Sequence, residues 1–304
     1  MCIRDRGGPN ATPTVDDGHV YVLSKSGRLF CLKFSDGSVV WERHLAKDFG
    51  GKAPGWGFSA SPTVYGNLLL DLPTADEGAY YALDKKTGKV AWKTDNEVYP
   101  GYAAPVIVDY KGTDTALAFH GRSIVAYDLE DKGEILFKQS WRTSYEVNAS
   151  NPQLHDNKVF IASGYGMGYA VVDVSKSRPR ILHREPDTRM IFQNNLLVNG
   201  NIIGVFGDKK IDAELISMDL ASGDINWKVG LPGTRGSSIM VGKQLVCLLE
   251  TGHLVTGEPL EGTFNETGRL KVLDKRCWSS LAFSNGRIFA RNNNGDAICL
   301  SVNK

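Results

Sequence analysis

The stretch Ala82-Leu-Asp84-Lys-Lys-Thr87-Gly88-Lys-Val-Ala-Trp92 decides the fold, because it returns elsewhere in the chain. A close copy is Ser217-Met-Asp219-Leu-Ala-Ser222-Gly223-Asp-Ile-Asn-Trp227. A third, Cys31-Leu-Lys33-Phe-Ser-Asp36-Gly37-Ser-Val-Val-Trp41, keeps the Gly-to-Trp spacing with Lys in the Asp position. Looser copies are Ala126-Tyr-Asp128 with Lys132-Gly133 and Phe137, and Val171-Val-Asp173 with Ile181. Gly88, Gly133, Gly223 and Gly268 lie 45, 90 and 45 residues apart, which predicts one period with a blurred copy near Arg178. Each copy reads as a strand, a tight turn and a second strand ending on a flat ring. The Asp is placed to accept backbone N–H groups in the turn, and the Gly reaches positive φ without steric cost. The terminal indole offers about 150–250 Å² of apolar area with which to wedge neighbouring sheets together.

Working outward, a second string precedes each such hairpin. It reads Ala11-Thr-Pro13-Thr-Val15, Ala60-Ser-Pro62-Thr-Val64, Ala103-Ala-Pro105-Val-Ile107 and Ser150-Asn-Pro152-Gln-Leu154. Weaker forms begin at Gln193, Gly236 and Trp278, so the heads number seven. A turn follows each, as at Asp17-Gly18 or Asn199-Gly200, and then an apolar strand such as Val20–Leu23, Val159–Ala162 or Leu245–Leu249. Proline lacks a ladder donor, so the head strand should begin beside it or lie at a sheet edge. Four short strands per repeat of about 40–45 residues are the mark of an all-β propeller of four-stranded antiparallel blades. About seven blades are expected over residues 11–304, the last one incomplete. A solenoid of helix pairs has the same period, but 33 glycines and no 3.6-residue apolar stripe exclude it.

Composition narrows the function. The 304 residues carry 35 basic and 34 acidic side chains, a balance unsuited to nucleic acid as main partner. No apolar run is long enough for a membrane-spanning helix. Five cysteines are scattered without C-x-x-C spacing, and six histidines fall in different repeats, so neither a zinc site nor a dithiol centre is expected. Cys31 and Cys299, each between apolar neighbours, read as small buried side chains in strands. Residues 1–10 begin Met-Cys-Ile-Arg-Asp-Arg, fit no signal peptide or periodic element, and read as a non-native or unstructured start. A ring-closing strand would have to come from upstream sequence.

The repeat resembles the PQQ-like propeller family, whose motif is A-x-D-x-x-T-G-x-x-x-W. Asp84, Gly88 and Trp92 match it fully, Asp219, Gly223 and Trp227 closely, and Gly37 and Trp41 in part. Members include quinoprotein alcohol dehydrogenases and BamB-like lipoproteins of outer-membrane β-barrel assembly, often with eight blades. A monomer is expected; the resemblance implies a periplasmic or secreted place, and a non-catalytic scaffold of the cell envelope, a PQQ-dependent oxidoreductase or an outer-membrane protein assembly factor. The motif residues build blades, so they do not choose between these functions.

In a propeller, the loops entering the innermost strands share a face with those joining second to third strands. The entering loops here are rich in rings and guanidinium groups, and a ligand- or partner-binding mouth is expected from them. Its candidate residues are Trp56, Tyr102, Trp141, Arg142, Tyr145, Asn148, Arg189, Gln193, Arg235 and Trp278. Rings with arginine suit a protein segment or a small anionic ligand. The competing reading is that the rings cap the inter-blade core and the arginines pair with nearby carboxylates. Glu146 and Asn148 are the oxygens a Ca²⁺–PQQ site would use, but the rest of that ligand set is missing. No catalytic residue and no metal site is expected. Ser163–Gly168 and Asn292–Asp296 read as hairpin turns, not as a phosphate loop or a calcium loop. The basic stretch Lys176–Arg189 reads as a solvated outer edge.

Overall fold

In a computed structural model the described residues are 10–50, 53–70, 80–95, 98–209 and 211–302. Nine of the ten residues read as a non-native start, 1–9, lie outside them. Seven antiparallel meanders follow the seven heads, each with its strands side by side in chain order. The chain is a seven-bladed β-propeller.

Blade one is β1 (Thr14–Asp16), β2 (His19–Leu23), β3 (Arg28–Lys33) and β4 (Val39–His44), followed by a single helical turn α1 (Leu45–Asp48) that the sequence did not announce. Blade two is β5 (Thr63–Tyr65), β6 (Leu68–Leu70), β7 (Tyr81–Asp84) and β8 (Val90–Lys93). Blade three is β9 (Val106–Tyr110), β10 (Thr113–Phe119), β11 (Ser123–Asp128) and β12 (Ile135–Ser140). Blade four is β13 (Gln153–His155), β14 (Lys158–Ser163), β15 (Gly168–Asp173) and β16 (Arg180–Glu185). Blade five is β17 (Leu196–Val198), β18 (Asn201–Asp208), β19 (Ile211–Asp219) and β20 (Ile225–Leu231). Blade six is β21 (Gly236–Val241), β22 (Gln244–Leu249), β23 (His253–Leu260) and β24 (Thr263–Lys271). Among the described residues, blade seven has three strands, β25 (Ala282–Ser284), β26 (Arg287–Arg291) and β27 (Ala297–Ser301). The chain divides into two compact units, Met1–Pro152 with Val174–Arg180, and Gln153–Asp173 with Ile181–Lys304.

Burial explains why the middle strands are unbroken apolar runs. In β14 and β15 both faces are covered, whereas the outer strand β16 is exposed along most of its length. The expected solvated edge at 176–189 is therefore found, apart from Arg189. Each proline of the four clear heads stands just before its inner strand, so the missing N–H costs no ladder bond. The threonine that follows it ties blades together. Thr14 Oγ1 donates to the Pro62 carbonyl at 2.5 Å, and Thr63 Oγ1 to the Pro105 carbonyl at 3.2 Å.

The motif turns are built as their residues demand. Asp84 Oδ1 accepts from the Thr87 amide and hydroxyl, both at 2.8 Å, and Asp219 Oδ1 accepts from the Ser222 amide at 2.7 Å. Those bonds hold the Asp84 carboxyl below its ordinary value, the Thr87 hydroxyl contributing most. The terminal rings lock onto the next blade's turn. The Trp41 indole N–H reaches the Lys85 carbonyl at 3.0 Å, and a Cβ on Gly133 would sit 2.6 Å from the Trp92 ring. In blade four the ring on the next turn is His183 rather than Ile181, which the motif spacing predicts: a Cβ on Gly223 would meet His183 at 2.5 Å, while Ile181 is exposed.

Two sequence expectations need correction. Gly268 is not a turn glycine but lies inside β24; the turn of that blade is at Gly262, with φ 75°. Its spacing from Gly223 is coincidental, since β24 runs from Thr263 to Lys271 through it. Cys299 is exposed, unlike Cys31. Cys31 pairs across to Trp41 on β4, while β27 is the edge of its sheet among the described residues.

Candidate functional site

In blades two and seven the entry loop packs on the loop joining second to third strands of the blade before. Phe58 N–H donates to the Lys25 carbonyl at 3.0 Å, and Cys277 N–H donates to the Glu250 carbonyl at 3.0 Å. The entry loops carry all ten residues of the expected mouth, and they form one cluster in each compact unit.

In the first unit, Trp56, Tyr102 and Tyr145 come together. Trp56 meets Tyr102 edge-on at 5.9 Å and Tyr145 edge-on at 6.1 Å, and the Tyr102 hydroxyl accepts the Trp56 amide at 3.5 Å. Tyr145 is 74% exposed. Trp141 and Asn148 instead lie inside. The Asn148 side-chain amide donates to the His120 carbonyl at 2.7 Å and the Trp141 carbonyl at 3.1 Å, and the Asn148 main-chain carbonyl receives the Tyr102 amide at 2.8 Å. Asn148 thus fastens the loop to the blade. Glu146 is engaged by Arg122, whose Nε lies 2.6 Å from Oε1 and whose guanidinium stacks 3.2 Å above the Tyr99 ring. Arg142 is exposed. Arg142 to Glu146 line an open depression of about 540 Å³.

The second unit holds a denser cluster. The Arg235 guanidinium, buried with its residue 4% exposed, lies 5.0 Å from the Trp278 ring centre and 5.5 Å from that of Phe192. Arg276 covers Trp278 at 4.7 Å. Glu250 binds the cluster together. It accepts from the Trp278 indole at 3.0 Å and from the Thr234 amide and hydroxyl at 2.8 and 2.7 Å, and lies 3.7 Å from Arg235. Burial alone would raise the Glu250 carboxyl, but the Trp278 and Thr234 hydrogen bonds with the Arg235 charge hold it below its ordinary value. Burial likewise lowers Arg235, against the Glu250 and Asp208 charges that favour its cation. Arg189 bridges Asp187 and Asp208, each at 3.2 Å. Gln193 is buried and folds back on its own loop, its Oε1 accepting the Ile191 and Phe192 amides at 2.9 and 3.0 Å.

Several partners were missed from the sequence, namely Arg122, Glu250, Phe192, Asp208 and Thr234. Glu250 stands where an apolar strand ends and Arg122 just before one begins, which was the available signal. Of the two residues a Ca²⁺–PQQ site would use, Glu146 accepts from Arg122, and Asn148 is buried with its side-chain amide donating to main-chain carbonyls. Among the described residues no group of three or more His, Cys, Asp or Glu side chains could hold a metal. Asn292 closes its turn on itself, accepting the Asn294 and Asp296 amides at 2.9 and 3.0 Å, as a hairpin reading requires.

Seven meandering sheets, with turns of the Asp-x-x-Thr/Ser-Gly type at Asp84 and Asp219 and rings docked on the following blade, define a propeller of the PQQ-repeat class. The family model described as outer membrane protein assembly factor BamB matches residues 5–229, and the chain belongs to that family. The crystal structure of BamB from Moraxella catarrhalis superposes with a TM-score of 0.69 at 17% identity, over 96% of this chain and 85% of that one. The quinohemoprotein alcohol dehydrogenase of Comamonas testosteroni gives 0.63 at 14% identity, over 92% of this chain and 62% of that one. A second such dehydrogenase, ADHIIG of Pseudomonas putida HK5, gives 0.61 at 13% identity, over 91% and 61%. At these identities the likeness is one of fold. No curated protein matches the sequence.

Proposed function

We propose that the chain is a non-catalytic binding platform of the bacterial cell envelope, receiving a protein or a small anionic ligand on its entry-loop face. The observation that supports this reading is how the polar groups of that face are used. Glu146 is bound to Arg122, Glu250 to Trp278 and Thr234, and Arg189 to two aspartates. A general acid or base has to be aimed at the atom it protonates or deprotonates. Here the charged groups hold loops in place, and the loops present rings at Trp56, Tyr145 and Trp278. Rigid β scaffolds commonly carry recognition residues on such loops. Membership of a family described as an outer membrane assembly factor supports a periplasmic setting and, more finely, a role in outer-membrane protein assembly.

The competing activity is PQQ-dependent alcohol oxidation, and one titration separates the two. Purified protein mixed with PQQ and Ca²⁺ is expected to leave the quinone absorbance unchanged and to give no dye-linked alcohol oxidation. Saturable, calcium-dependent binding with turnover would overturn the platform reading. In the positive arm, crosslinking in intact envelopes should capture a β-barrel assembly component, and Tyr145→Ala should weaken that capture.

A further inference from the structure

The crest of the loop entering blade four has three features that its role in the fold does not use. Thr143 is 3% exposed, and its Oγ1 has no hydrogen-bond partner. A buried hydroxyl is normally satisfied, and this one makes no hydrogen bond in the fold. Arg142 beside it is exposed and, among the described residues, makes no ion pair and no side-chain hydrogen bond. Tyr145 and Glu146 both hold left-handed backbone, at φ 65° and 59°, an unfavourable pairing for two residues with side chains. The Arg122–Glu146 pair fixes that crest.

Arg142 to Glu146 line one side of an open depression of about 540 Å³. Its sign follows from the pairing. Glu146 is neutralised by Arg122, so the charge left over is the Arg142 cation, with the Thr143 and Ser144 hydroxyls next to it. We propose that this crest is an anion pocket for a carboxylate carried on an acidic peptide segment. The inference rests on the platform reading and names its ligand class. One guanidinium matches one carboxylate, whose two oxygens take its parallel N–H donors while a hydroxyl fills a remaining lone pair. A dianionic phosphate would leave one charge unmatched. The peptide, rather than a free small acid, follows from the adjoining rings. Tyr145 and Trp56, edge-on at 6.1 Å, form an aromatic flank for the residues on either side of the carboxylate.

The test is an NMR titration of the full chain, following the Arg142 side-chain Nε–H and the Ser144 and Tyr145 amides. Four probes are compared: acetyl-Ala-Glu-Tyr-Ala-amide, its Gln counterpart, sodium acetate and inorganic phosphate. The Glu peptide should bind saturably, the other three about tenfold or more weakly, as loss of a charge-assisted hydrogen bond or of the ring contacts predicts. Arg142→Gln should weaken the Glu peptide by about tenfold with an unchanged thermal melt, since that side chain supports nothing in the fold. Thr143→Val should weaken it severalfold while leaving the melt unchanged or raised, because it removes an unsatisfied hydroxyl. Equal binding by the Gln peptide, acetate or phosphate would overturn the proposal, as would an unaltered Arg142→Gln protein or a destabilised Thr143→Val protein. Partner capture by the wild-type protein is read separately. Capture that survives while peptide binding fails sinks this pocket alone, and capture that fails while peptide binding survives sinks the platform role in assembly.

Discussion

The indole of Trp41 rests on Gly88 of the following blade, its ring atoms 2.8 Å from where a Cβ of that glycine would stand. The same indole donates its N–H to the Lys85 carbonyl at 3.0 Å, and Arg43 Nε reaches the Gly88 carbonyl at 2.7 Å. One short turn thereby performs two tasks. It reverses the chain inside its own blade, and it presents a bare backbone surface to the ring of the blade before.

Those tasks separate in a pair of alanine substitutions. Gly88 has φ 66° and a ring above it, whereas Gly37 has φ 72° and nothing within 4 Å. Gly37→Ala should therefore cost only the left-handed strain, about 1–2 kcal/mol. Gly88→Ala adds a steric clash in a packed contact, about a further 1–3 kcal/mol. Urea unfolding of the two variants measures the difference, and equal losses would mean that the indole moves aside freely.

His120 gives a pH signature. It is fully enclosed, with Nε2 2.9 Å from the Tyr127 hydroxyl, and burial followed by the Lys138 charge pushes its imidazole down from 6.5 to about 3. The folded state therefore holds the neutral ring while the unfolded chain takes up a proton. Its contribution is full above pH 6.5 and falls between pH 6.5 and 3, by about 1.4 kcal/mol per pH unit. Imidazole chemical shifts should show a neutral His120 at pH 5, and His120→Gln should flatten the acid limb of stability against pH. A ring that titrates near 6.5 in the folded protein would refute the burial argument.

The blades were legible in the sequence because their signals are local. Asp84, Thr87 and Gly88 form a turn among themselves, and Pro13 or Pro62 marks where an inner strand starts. Where spacing alone was used, as at Gly268, the turn stands six residues earlier, at Gly262, and the count misled. The mouth was only half legible. Its loops could be found, yet whether Arg142 is free or Arg235 committed depends on carboxylates that other loops deliver. Glu250 stands 15 residues beyond Arg235, and Arg122 stands 24 before Glu146. No period encodes those pairings. The unsatisfied Thr143 hydroxyl is a property of the packed loop and has no sequence signal at all.

The thiols should separate by strand position. Cys247 on β22 is enclosed, and burial pushes it up to about 12, the Ser238 hydroxyl working against that rise. Burial also raises Cys31 and Cys277. Cys299 is exposed on β27. In a Cys2→Ser background at pH 8, a thiol-reactive disulfide reagent should label one site quickly, and peptide mapping should place it at Cys299. Thiolate fraction alone sets the Cys247 rate back by about 10³-fold or more. Labelling of Cys247 at a rate near that of Cys299 would mean that blade six opens in the native protein.

Glu250 carries the last prediction, because it is the acid to which Thr234 and Trp278 both donate. Its burial works against ionisation, but the hydrogen bonds and the Arg235 charge win, so its folded value lies below the ordinary 4.5. The stabilisation is present above pH 4.5 and is lost as the pH falls through the lower folded value. Glu250→Gln keeps the shape, removes the charge and leaves Arg235 buried without its nearest counter-ion. A loss of about 2–4 kcal/mol at pH 7 is expected, since breaking one side of a buried pair strands the other. The wild-type and variant curves should converge as the pH falls below 4.5, in the range where the wild-type carboxylate itself takes up a proton. Urea melts from pH 3 to 7 check this, and parallel curves across that range would show that the carboxylate charge contributes nothing to holding the loop.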